Sequence, residues 1–183
     1  MSAGRGFPAG ALLAPRRPHV KINSEGFTGV MLRHPSLRPL SRQHHHALAL
    51  CVLILRGLRG AQTDVAGLAR RACRDFDGEI RGHFDAEERV LFPAVLSGLG
   101  PLPLIGRLLE EHRELRRLAS ALAEAPGAEL LGEFAGLLRS HVRLEENELF
   151  ELIQKQMSSE ALARLGEELG GLPGAACGAK GTT

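Results

Sequence analysis

Tryptophan and tyrosine are absent from this sequence, and its aromatic content is confined to seven phenylalanines. β-Branched residues are sparse as well, whereas Leu, Ala, Arg and Glu dominate, a bias that favours helix over sheet. Charge of one sign is not in excess: 23 Lys and Arg stand against 21 Asp and Glu, for a net charge of +2. That balance calls for neither a nucleic acid nor an anionic membrane as partner. No apolar run approaches the roughly 18 residues of a membrane span. The stretch from Ala9 to Ala14 is too short and too broken by Gly and Pro to be the core of a secretory signal. Three cysteines (Cys51, Cys73 and Cys177) form no CxxC pair and no disulfide framework. A cytoplasmic, reducing setting is therefore expected.

What is present suffices for one domain with a real core: 183 residues, 44% of them hydrophobic and 24% charged. Residues 1–33 are rich in Gly, Pro, Ala and Arg without a helical period, and are expected to form a disordered N-terminal tail. Residues 170–183, Gly- and Ala-rich, are expected to form a second. Met31 directly precedes the patterned region and is an alternative start.

Between the tails, four long segments carry apolar residues at helical spacing. The first aligns Leu37, Leu40, His44, Leu48, Cys51 and Leu55, with Ser36 as its expected cap; the second aligns Leu68, Ala72, Phe76, Ile80, His83, Glu87 and Leu91. The third aligns Leu104, Leu108, His112, Leu115 and Leu122; the fourth aligns Leu130, Phe134, Leu137, His141, Glu145 and Leu152. Breakers lie at Gly60 to Asp64, Ser97 to Pro103, and Pro126 with Gly127. Short connections between long amphipathic helices predict an all-α, up-down-up-down antiparallel four-helix bundle over residues 34–169. A short fifth helix is expected from Ser159 to Leu169.

Every stripe is interrupted by ionisable residues, which an apolar core does not accept without partners. In an antiparallel pair, residues equally far from the turn face one another. The midpoint of positions 44 and 83 falls between 63 and 64, that of 83 and 112 between 97 and 98, and that of 112 and 141 between 126 and 127. All three land on the breakers, so the four histidines should share one layer. His83-x-x-x-Glu87 and His141-x-x-x-Glu145 each add a carboxylate one turn on, on the same face. Four imidazoles and two carboxylates make a mixed nitrogen and oxygen set suited to iron or manganese. Of the consecutive His44, His45 and His46, His44 continues the stripe and is the expected ligand, with His45 the alternative. Glu88, Glu111, Glu146 and Glu148 are either solvated or support the histidines. Phe76, Phe84, Phe92, Phe134 and Phe150 are expected in the core or the wall of the site, and Gly78, Gly82 and Gly136 at close helix contacts.

The stretches LSRQHHHAL (40–48), HFDAEERVLFP (83–93), LLEEHRELRRL (108–118) and HVRLEENELF (141–150) together resemble the hemerythrin-like, or HHE cation-binding, domain. The resemblance covers residues 34 to 157. It implies two iron ions bridged by Glu87 and Glu145, and by oxo or hydroxo, with His44, His83, His112 and His141 terminal; manganese or zinc also fits the donors. It further implies binding of O2, NO or peroxide at an open position, in oxygen, redox or iron sensing or handling, rather than a dedicated enzyme. Two departures from the family pattern stand out. Oxygen-carrying members have a further histidine where this chain has Arg116, and a tyrosine used by some relatives has no counterpart here. Gln43, before His44, stands where an acid is common. A ferritin-like di-iron oxidase and a metal-free helical interaction module are the rival readings; the first typically uses Glu-x-x-His pairs rather than His-x-x-x-Glu.

Overall fold

The computed structural model describes residues 32–172, and among these residues there is helix but no strand. Most of both expected tails, and Met31 with them, lies outside the described residues. A 3-10 turn, Pro35–Leu37, leads into α1 (Arg38–Gly57). Helix α2 covers residues 65–99 and contains two π-helical turns, Phe76–Ile80 and Glu87–Leu91. Helix α3 is Pro103–Glu124. Helix α4 covers residues 128–156 with one π turn, Glu145–Leu149, and α5 is Ser159–Gly170.

The boundaries follow local chemistry. Asp64 caps α2 by accepting the Gly67 N–H at 2.8 Å, and Ser158 caps α5 by accepting that of Ala161 at 3.2 Å. Gly100 ends α2 at φ 81°, a conformation that costs a side-chain-bearing residue. Pro103 then opens α3 where its missing N–H is harmless. Ser36 does not cap α1 as expected: its hydroxyl donates to the Leu162 carbonyl at 2.6 Å, tying the start of the domain to α5. Arg33, which the composition assigned to the tail, bonds Glu146, Glu151 and Gln154 on α4.

Burial sorts the apolar residues into two clusters. One gathers Ala47, Cys51, Ile54, Ala72, Phe76, Leu115, Phe134 and Leu138 among others. The second gathers Leu37, Leu40, Leu91, Phe92, Leu108, Leu149, Phe150, Ile153 and Leu165 among others. Along α1 and α3 the chain passes from the second cluster to the first, and along α2 and α4 it returns. In each helix the candidate ligands lie at the crossing. The stripes differ from expectation at leucine doublets and their kin: Ala47, Ile54, Ile105, Leu131 and Leu138 are buried where Leu48, Leu55, Leu104, Leu130 and Leu137 had been aligned, and Ile153 replaces Leu152. A side chain added at Gly78, Gly82 or Gly136 would meet nothing within 4 Å, so these glycines do not serve close packing.

Candidate metal centre

Between the two apolar clusters lies a polar layer. His44 is 1% exposed, His83 4%, and His112, His141, Glu87 and Glu145 0%. His45 and His46 are exposed, and His46 pairs at the surface with Glu79 at 3.0 Å. All six expected side chains therefore meet in one layer, with His44 rather than His45 turned inward.

The layer resolves into two groups. His44, His83, Glu87 and Glu145 place donor atoms within 4.8 Å of one another, and so do His112, His141, Glu87 and Glu145. Both carboxylates belong to both groups. Glu87 Oε1 lies 3.1 Å from His83 Nε2 while its Oε2 lies 3.4 Å from His112 Nε2. Glu145 Oε2 is 3.0 Å from His44 Nε2 and 3.4 Å from His141 Nε2.

The outer nitrogens of the imidazoles are all engaged. His44 Nδ1 meets Glu146 Oε1 at 2.7 Å, His83 Nδ1 meets Gln43 Oε1 at 2.8 Å, His112 Nδ1 meets Glu88 Oε1 at 2.8 Å and His141 Nδ1 meets Glu111 Oε2 at 3.0 Å. Ionised carboxylate and amide oxygens only accept hydrogen bonds, so each Nδ1 must donate. In the neutral form that a metal ligand takes, each imidazole then turns its Nε2 lone pair inward. Those lone pairs face each other, His44 to His83 at 2.9 Å and His112 to His141 at 3.1 Å. All four oxygens of Glu87 and Glu145 are buried without an aligned donor. The Nε2 atoms come near them, and as neutral imidazoles offer them no N–H.

Such an array is costly by itself. Even after relaxation, burying one charge costs several kcal/mol, more than the about 1.5–3 kcal/mol that a fully buried leucine contributes. Two cations would resolve both problems, since each group offers two lone pairs and two carboxylates. Neighbouring donors of an octahedral ion with bonds of about 2.1 Å are about 3.0 Å apart; the closest contacts in the two groups run from 2.9 to 3.4 Å, His44 to Glu87 is 3.9 Å, and the remaining pairs lie within 4.8 Å. The donor set therefore fits two hard or borderline cations of the iron, manganese or zinc type.

Glu88, Glu111, Glu146 and Glu148 were no more than possible supports in the sequence; the first three each meet a histidine, and Glu148 is exposed. Each of the three is also held by arginine: Arg116 on Glu88 (2.8 Å), Arg107 on Glu111 (2.9 Å) and Arg33 on Glu146 (2.7 Å). Arg116 offers the layer no donor; it spans Glu88 and Asp85 and lies over Phe84. The acid missing at position 43 affects His83, not the adjacent His44. The repeated signal is the doublet Glu-Glu that ends each His-x-x-x-Glu motif. Its first member points into the layer and its second supports a histidine of another helix. Both doublets open π turns, whose extra residue per turn reorients the backbone and which recur at functional sites. Phe84 stacks on His112 at 3.8 Å and Phe150 on His44 at 5.3 Å, so aromatic faces fix the ring planes.

Electrostatics couple the layer to pH. Burial works against a charged His44, but contacts with Glu145 and Glu146 and the charge of Glu87 outweigh it and raise its pKa from 6.5 to about 10. Burial likewise disfavours charge on Glu146, yet His44, Ser41 and Arg33 hold its pKa at about 2. Burial alone would also raise Glu87, but His83 and His112 hold its carboxyl well below the usual range. A raised histidine stabilises the fold fully below its unfolded value and loses that contribution as pH climbs through its folded one. A depressed carboxyl does the reverse as pH falls. Without a cation, stability should therefore peak between about pH 4.5 and 6.5, decline toward pH 10 as His44 loses its proton, and decline toward pH 2. Urea melts in chelator across this range test it; a profile flat from pH 6.5 to 10 would contradict it.

Comparison with known proteins agrees with this geometry. A 34% identical stretch of 87 residues, 45% of this chain, matches a protein named DNA nickase from Nostoc sp. (strain PCC 7120). The chain spans 24% of that relative's length. No solved structure matches the chain. The description "Hemerythrin HHE cation binding domain" matches residues 37–153, the stretch that contributes all six side chains of the layer. The chain belongs to the hemerythrin HHE cation-binding family, a metal-binding domain.

Proposed function

We propose that the protein is a non-haem di-iron protein that binds O2, NO or peroxide at an open position of its cation pair. Its role would be sensing or handling of oxygen, redox state or iron. The observation that carries this reading is the pairing of four inward Nε2 atoms with two donorless, doubly shared carboxylates. The metal ligands are His44, His83, Glu87, His112, His141 and Glu145. Four helices running up-down-up-down supply them, a course supported by the alternating order of the two apolar clusters.

Each group offers four residues, fewer donors than an octahedral ion takes, so positions remain for a small molecule. A bound iron pair supplies Lewis acidity and electrons. The chain's own residues fix the imidazole tautomers, neutralise the cations and exclude bulk water. A cavity of about 10 Å³, bordered by Gln43, His44, Glu79, His83, Phe84 and Val142 among others, adjoins the first group. That is room for about one water beside the first group. The same burial speaks against a phosphodiester reaching this layer, and the relative's nicking activity is not part of the proposal; neither nucleic acid nor membrane is a proposed partner. No helix among the described residues is long and apolar enough to cross a membrane, and a cytoplasmic location is proposed.

Metal analysis after anaerobic purification should find iron in both groups, in preference to zinc. Fewer than about one iron per chain, without preference over zinc, would sink the reading and favour a metal-free module. The near-ultraviolet charge-transfer absorption of the iron-loaded protein should survive His46→Ala and vanish in His83→Ala. Stopped-flow absorbance of the reduced protein with oxygen then separates a reversible binder from an oxidase.

A further inference from the structure

The two groups are built on one plan. In each, a residue precedes a histidine on one helix, and the next helix carries His-x-x-x-Glu-Glu: Gln43, His44, His83, Glu87, Glu88 in the first half and Glu111, His112, His141, Glu145, Glu146 in the second. The contacts repeat with the residues. The last glutamate of each half supports the lone histidine of the other, and the residue before each lone histidine supports the His-x-x-x-Glu histidine of its own half. The plan is broken at one place. Glu111 supports His141 as a carboxylate, whereas Gln43 supports His83 as a neutral amide.

We propose that Gln43 makes the cation site of His44 and His83 the weaker of the two, the last to fill and the first to empty. This rests on the two-cation reading above. A carboxylate that accepts the Nδ1–H pushes electron density toward Nε2 and makes it a better ligand; hydrogen bonds to charged groups are roughly twice as strong as neutral ones. Loss of such an outer partner typically lowers metal affinity about 10–100-fold. Each supporting carboxylate also meets an arginine, so positions 43 and 111 compare a neutral amide with an arginine-paired carboxylate. Surroundings act in the same direction. The small cavity adjoins His44 and His83, with Gln43 in its wall, so water has a place beside this site. In the other group, His112 is covered by the faces of Phe84 at 3.8 Å and Phe92 at 5.7 Å.

Two cations sharing carboxylates repel each other, so uptake in two steps would not by itself distinguish the sites. Which step each variant moves does. Calorimetry of Co(II) uptake by the full chain, stripped by chelator, should show for Gln43→Glu a second step tightened about 10-fold and a first step unchanged. Gln43→Leu should weaken the second step alone. Glu111→Gln should weaken the first step and draw the two together. Far-ultraviolet circular dichroism checks that each variant is folded. A Gln43→Glu variant that tightens the first step, or folded variants that move neither, overturns the inference while leaving the two-cation centre standing. No Co(II) uptake by the unaltered protein overturns both.

Discussion

Glu145→Ala is expected to strip the protein of both cations, whereas His83→Ala should leave one. The difference follows from how donors are shared. Glu145 contributes to both groups, while His83 belongs to the first alone. Without Glu145, each cation loses an anionic donor, and the negative charge of the layer falls to that of Glu87. Mutual repulsion between the two cations then rises as one of their two shared carboxylates disappears. Removing His83 takes one neutral donor from one site and leaves His112, His141 and both carboxylates in place. Metal content by mass spectrometry, on proteins loaded with iron anaerobically and freed of excess, should fall from two per chain to fewer than about one for Glu145→Ala. It should fall to about one for His83→Ala. Equal losses in the two variants would mean that the carboxylates are not shared.

Cation loading should also raise the midpoint of thermal unfolding by about 10–20 °C. At free metal about 100-fold above its dissociation constant, each site stabilises the native state by about 2.7 kcal/mol. Two sites give about 5 kcal/mol, and a domain of this size gains about 2–4 °C per kcal/mol. The shift also has a source in the fold itself. Buried carboxylates without aligned donors weaken the metal-free state, and the cations remove that penalty. Calorimetric scans with Fe(II) and with chelator measure it, and a shift below about 3 °C would show that the layer is satisfied without metal.

Much of the layer was readable from spacing. The four histidines sit at matched distances from three turns, and i, i+4 geometry fixes Glu87 and Glu145. Both inferences depend only on helix rise and period. The helix phases were less readable, because the apolar positions come side by side: Leu130 with Leu131, Leu137 with Leu138, Leu104 with Ile105. Either member satisfies the period, and only packing between helices decides. The supporting carboxylates were not readable for a different reason. Glu88 and Glu146 lie one residue beyond a core position, where an ideal helix turns toward solvent, and π turns opening at Glu87 and Glu145 alter that course. No composition signal announces a π turn. The repeated Glu-Glu doublet was the available clue, since a solvated acidic face has no reason to place it identically after both motifs.

The shared carboxylates have a mechanical meaning. In the up-down course proposed above, helices α1 and α2 form one hairpin and α3 and α4 a second, joined through Gly100 to Leu102. Glu87 extends the first hairpin into the group of His112 and His141, and Glu145 extends the second into the group of His44 and His83. Neither hairpin holds a complete cation site. Loaded with the proposed ions, the layer would be a removable cross-link, shrinking the conformational freedom of the open chain as a disulfide does. Parting the hairpins breaks both sites in the same event, so metal retention and the cohesion of the two halves become one property.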